Sequence, residues 1–171
     1  MKIELKNIKV HLGLSEETHA YTAMLYVDGK KAVEVSNQGH GGGDYQYPVN
    51  GQSVEKINDW CENNLPKWSL SEAQGGGAVA GAMEKEFKTD LEMWCHNQVN
   101  DHLIMKDMKR GLASKALYVR EGDGQLMQMG FRGVRKYNSR MSDVVRKESP
   151  GAVILNDLPL EDAFVLYKSH G

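Results

Sequence analysis

Two runs of alternating apolar and polar residues, Tyr21 to Val27 and Lys31 to Val35, flank Asp28-Gly29, which commits the chain to an antiparallel β-hairpin near its N-terminus. A two-residue Asp28-Gly29 loop would set Leu25 opposite Ala32 and Ala23 opposite Glu34, mixing the two faces. A three-residue Val27-Asp28-Gly29 loop with Gly29 in a G1 bulge separates them. It sets Ala23 opposite Val33 and Tyr21 opposite Val35, with Thr22 and Glu34 on the wet side. Upstream, Ile3 and Leu5, then Ile8, Val10 and Leu12, keep period two on either side of Asn7, so a bulged strand precedes the hairpin.

After Pro48, the spacing of Val54, Ile57, Trp60 and Cys61 predicts an amphipathic helix from Ser53, its N-cap, to Leu65 before Pro66. Ser69-Leu70-Ser71-Glu72 has capping-box spacing, but Gly75-Gly76-Gly77 weakens a helix there. A long central helix is therefore expected from Ala78, with Val79, Met83, Phe87, Leu91, Trp94, Gln98 and His102 on one stripe, until Gly111 stops it. A second hairpin pairs Ala116–Arg120 with Gln125–Phe131. A basic helix from Arg140 to Lys147, a strand at Ala152–Leu155 and a C-terminal helix to Tyr167 follow. This order has no βαβ rhythm, so the fold class is α+β with antiparallel sheets. Its 171 residues suit a single α+β domain, 1–171, divisible at most into 1–110 and 111–171.

Cys61 and Cys95 each stand beside a tryptophan in an apolar helical context, as buried free thiols do in a reducing compartment. The N-terminus lacks the apolar core of a signal peptide and no stretch reaches membrane-span length, so the expected location is cytoplasmic, with no membrane partner. Charge is segregated. Residues 1–100 hold nine lysines, no arginine and fourteen carboxylates, a net −5, whereas residues 101–171 carry +3. All six arginines fall within 102–147, where the net charge is +7.

Asn37-Gln38-Gly39-His40-Gly41-Gly42-Gly43-Asp44-Tyr45 is the first candidate site. Its glycines admit positive φ and let a ligand approach backbone N–H groups, so Gly39, His40, Gly41, Gly42, Asp44 and Tyr45 are read as ligand-binding. His40 with Asp44 also has the residue types of a general acid/base pair. A His in such a loop more often shapes the turn. His40-Gly41-Gly42-Gly43 is similar to the oxyanion loop of lipase-like hydrolases, but no Gly-x-Ser-x-Gly elbow accompanies it, and no Gly-Lys-Ser/Thr makes it a phosphate loop. No metal site or cofactor is expected. No two histidines lie four apart with an acidic partner, and Cys95 and His96 point about 100° apart on a helix. The basic sector is the second candidate: Arg120, Arg132, Arg135 and Lys136, interleaved with Tyr118, Phe131 and Tyr137, have the composition that holds phosphates and stacks on bases.

Ser15-Glu16-Glu17-Thr18, Asp28-Gly29-Lys30-Lys31 and Gly39-His40-Gly41-Gly42 resemble the N-terminal pattern of a family of small uncharacterised bacterial and bacteriophage proteins. No family activity carries over. The resemblance implies a small accessory protein, in the host cytoplasm if phage-encoded, in a setting where inhibitors of bacterial defence occur. The expected function is binding of a nucleic acid, nucleotide or host protein through the glycine loop and basic sector. The alternative is a small hydrolase or transferase using His40 and Asp44.

Overall fold

The computed structural model describes residues 1–69 and 86–171, which fall into two compact units, Met1–Asn100 and Asp101–Gly171. The architecture is α+β with antiparallel sheets. In the first unit, β1 (Ile3–Val10), β2 (Tyr21–Val27), β3 (Lys30–Asn37) and β4 (Tyr45–Pro48) form a four-stranded sheet in chain order. The β1–β2 register shifts between Lys6 and Lys9, and Asn7 adopts φ +56°, the bulge that the broken alternation predicts.

The hairpin register differs from expectation. Asp28 and Gly29 both have positive φ and close a two-residue turn that pairs Val27 with Lys30 and Tyr26 with Lys31. The register then shifts, so that Leu25 faces Val33, Ala23 faces Val35 and Tyr21 faces Asn37. The three-residue loop is thus corrected to a tight turn followed by a bulge at Ala32. Ala32 and Val33 are consecutive buried residues, which a strand admits only where its alternation breaks.

α1 (Val54–Asn64) starts where expected, with the Ser53 hydroxyl accepting from the Lys56 amide at 3.3 Å. It contributes Ile57 and Cys61 to a core with Leu25, Val33 and Val35 of the sheet. The long helix is shorter than its stripe suggested. β5 (Trp68–Ser69) pairs with β6 (Glu86–Phe87), and Trp68 stacks on Phe87 with centroids 4.9 Å apart, so Phe87 belongs to a strand. α2 (Leu91–Ser114) begins beyond it, because Asp90 accepts from the Met93 amide at 2.7 Å and closes the first turn. The capping-box segment, the triple glycine and the helical start at Ala78 with Val79 and Met83 lie outside the described residues. Leu91, Cys95 and Val99 enter the core at four-residue spacing.

Both thiols are buried and free. Burial, ahead of neighbouring carboxylates, raises the Cys61 thiol to about 11 and the Cys95 thiol higher still. The native protein is expected to show no reaction with an aromatic disulfide reagent at pH 8 and two equivalents on unfolding; fast modification before denaturation would refute this burial.

In the second unit α2 runs through Gly111 rather than stopping there, and the glycine serves packing instead: the Leu117 side chain lies where a Cβ at 111 would stand. β7 (Ala116–Val119) lies between β8 (Leu126–Met129) and β9 (Val153–Ile154). All four β7 residues are buried, Leu117 and Val119 with Met108, Leu155 and Ala163, and Ala116 and Tyr118 with Met141, Val145 and Ile154. The flanking helices are α3 (Ser139–Glu148) and α4 (Leu160–His170). The Asn156 side chain ties this unit together, accepting from Leu117 N at 2.8 Å and donating to the Lys115 carbonyl at 3.0 Å. Among the described residues no helix is long and apolar enough to cross a membrane.

Candidate functional site

The glycine loop joins β3 to β4 and is organised around Asn37, the last residue of β3. Asn37 Oδ1 accepts from the Gly39 amide at 2.8 Å and the Thr18 hydroxyl at 2.9 Å, while Nδ2 donates to the Gly42 carbonyl at 2.9 Å and to Asp44 Oδ1 at 3.1 Å. Every hydrogen-bonding position of this amide is used. The Gly39 carbonyl accepts from the amides of Glu16, Glu17 and Thr18, and the Gly41 amide donates to Thr18 Oγ1 at 3.3 Å. The Gly39 and Gly41 N–H groups are therefore spent on the protein's own side chains, the first of them in a buried bond.

His40 and Asp44, paired in the acid/base expectation, are held by different partners. His40 is exposed and its Nδ1 lies 3.0 Å from Glu16 Oε2. The Asp44 side chain is fully buried: Oδ2 accepts from the Tyr21 hydroxyl, and Oδ1 from Asn37 and from His96 Nε2 at 3.0 Å. The bond to Asp44 raises the His96 pKa; desolvation opposes it, and the charges of Asp44, Glu92 and Asp90 add to the rise. Burial, then the bond to Asp44, pushes the Tyr21 phenol far above its ordinary value, so it remains a donor. Tyr45, opposite Ser36 on β4, is exposed.

His96 and Tyr21 also line a cleft of about 500 Å³, with Glu16, Glu17, His19 and Asn100 among its walls. A concave site with convergent polar groups and a perturbed histidine is where ligand chemistry concentrates. Sequence reasoning missed Tyr21, Asn37, Glu92 and His96. One signal was present: Glu92 and His96 are four apart on a helix, one position beyond the core stripe Leu91, Cys95 and Val99, and so share a face beside it. Weighing His96 only against Cys95 passed over that pair. Its partner Asp44 is 52 residues away and had no local mark.

The basic sector lies in the second unit. Arg120 is engaged by Asp123 through Nε at 3.1 Å and by Gln125 at 3.2 Å, and it holds the Asp123 carboxyl down to about 2. Arg132, Arg135, Lys136 and Arg140 are exposed, and none of them bonds to an acidic group among the described residues. Lys115, Phe131, Arg132 and Arg135 border a depression of about 530 Å³. The aromatic interleaving is mostly internal, since Tyr118 is buried and Tyr137 packs on the same core, its hydroxyl 2.8 Å from Ser142 Oγ. Compared with protein-family models, curated proteins and solved structures, the chain matches none.

Proposed function

We propose that this chain is an accessory binding protein that engages the phosphate backbone of a nucleic acid through the segment 131–140. The observation that carries the reading is the run of exposed cations, Arg132, Arg135, Lys136 and Arg140, none paired with an acid among the described residues, beside a depression that also presents Lys115 and Phe131. Guanidinium groups not engaged by acids are available for bidentate phosphate contacts and need no internal ion pair to be broken first. With Tyr118 and Tyr137 turned inward, base stacking falls to Phe131 alone, so recognition is by charge and shape rather than by base sequence. The bacterial or phage setting implied by the N-terminal resemblance, with inhibition of a defence system as one version, belongs to the same proposal.

Fluorescence anisotropy with labelled single-stranded RNA, single-stranded DNA and duplex DNA at two salt concentrations tests it. The joint change Arg135→Glu and Lys136→Glu is expected to weaken binding by about tenfold or more and to lower the log–log salt slope by about 2. Arg120→Ala, whose guanidinium is already occupied, is expected to stay within about twofold of wild type. Binding unaffected by the double reversal, or no salt-dependent binding to any of the three probes, would sink the reading.

A further inference from the structure

We propose that Asp44, Glu92 and His96 form a binding site for one divalent transition-metal cation, Zn²⁺ or a close analogue. Each residue offers one ligand atom, and the three atoms lie within 4.8 Å of one another. His96 Nε2 and Asp44 Oδ1 stand 3.0 Å apart, within the roughly 2.9–3.4 Å that separates neighbouring donors on an ion with bonds of about 2.0–2.1 Å. Glu92 is free to join the set, because its carboxylate makes no hydrogen bond or ion pair with any described residue.

The surroundings are those of a metal ligand shell. Asp44 is held by the Tyr21 hydroxyl on Oδ2 and by the Asn37 amide, and such outer contacts orient first ligands. Two carboxylates converge here, one of them fully buried, and among the described residues no lysine or arginine bonds to either. A divalent ion between them would supply the missing countercharge. An imidazole with two carboxylates suits Zn²⁺ or Mn²⁺, whereas Mg²⁺ and Ca²⁺ prefer all-oxygen sites. Three protein ligands leave a coordination position for water or a ligand donor. His96 and Tyr21 border the 500 Å³ cleft, which gives the ion an entry path.

The test uses the full, tag-free chain, stripped with a chelator and titrated with Zn²⁺ by calorimetry and with Co²⁺ by visible absorption. The expected result is one ion per chain, undiminished by excess Mg²⁺, with Glu92→Gln and His96→Gln each weakening uptake by about tenfold or more and altering the Co²⁺ spectrum. His40→Gln and Glu16→Gln, at the exposed pair nearby, should bind as wild type does. Glu92→Gln breaks no bond to a described residue, so its result is not confounded by misfolding. The proposal is independent of nucleic-acid binding, and the Arg135→Glu, Lys136→Glu protein should take up metal normally. It is overturned by the absence of saturable one-ion uptake at about 100 μM metal, by unchanged affinity in Glu92→Gln, or by a loss that follows His40 instead of His96.

Discussion

Gly39→Ala is expected to destabilise the Met1–Asn100 unit by about 3 kcal/mol or more, while Gly42→Ala, three positions along the same loop, changes it by less than about 0.5 kcal/mol. Gly39 has φ +89°, where an L side chain costs roughly 1–2 kcal/mol. A Cβ at that position would also overlap the Leu14 carbonyl oxygen and stand 3.0 Å from Ala20 Cβ and 3.1 Å from Ser15 Cα. The obstruction cannot swing aside, because Leu14 N is bonded to the His11 carbonyl and the amides of Glu16, Glu17 and Thr18 converge on Gly39 itself. Gly42 has no such φ and nothing within 4 Å of a Cβ. Gly41→Ala falls between them: φ is +82°, but its obstacle is the flexible Glu17 side chain. All three tryptophans lie in residues 1–100, so urea unfolding followed by tryptophan fluorescence reads this unit. Equal losses at 39 and 42 would mean that the loop's glycines serve flexibility rather than a fixed shape.

That contrast marks how far the residues alone could be read. Alternation gave β1, β2 and β3, because a sheet with one buried face leaves a period of two in the chain, and the turn residues Gly122-Asp123-Gly124 between two apolar runs marked the second hairpin. Asn7 and Ser53 were legible for the same local reason, one as a break in alternation and the other as a cap. The hairpin register was not, since Ala32 is small enough to fit either face and its bulge is chosen by what Val33 and Val35 must meet across the core. The start of α2 was set by Asp90 and by the pairing of Phe87 with Trp68, nineteen residues away, which no helical stripe reveals. The loop was found from its glycines, but the group at its centre was misjudged. His40 is conspicuous between glycines and sits at the surface, whereas His96 looks ordinary on its helix and reaches Asp44 only once the fold is made. In the basic sector Arg132, Arg135, Lys136 and Arg140 are exposed, whereas Tyr118 is not, because β7 is buried on both faces.

Asp44→Ala is expected to cost about 3 kcal/mol in metal-free protein, although it deletes a buried charge whose own desolvation opposes folding. The loss comes from what Asp44 leaves behind. Tyr21 is 1% exposed and its hydroxyl bonds to Asp44, so without that carboxylate a buried O–H goes unpaired, at about 1–3 kcal/mol. One of the two Asn37 donors loses its acceptor, and the side of Asn37 that braces Gly39 is held less firmly. His96 is partly exposed and can turn to water, so it adds little. A double-mutant cycle separates these contributions. Tyr21→Phe alone is expected to cost about 1–2 kcal/mol, because it leaves a buried carboxylate with one donor fewer, and close to nothing in the Asp44→Ala background, where it removes the stranded hydroxyl. The resulting coupling of about 1–2 kcal/mol is the signature of one network rather than two independent contacts. Additive losses in tryptophan-monitored urea unfolding would show that Tyr21 stabilises the sheet through its ring alone, and that Asp44 is held in place by the loop without help from the strand that faces it.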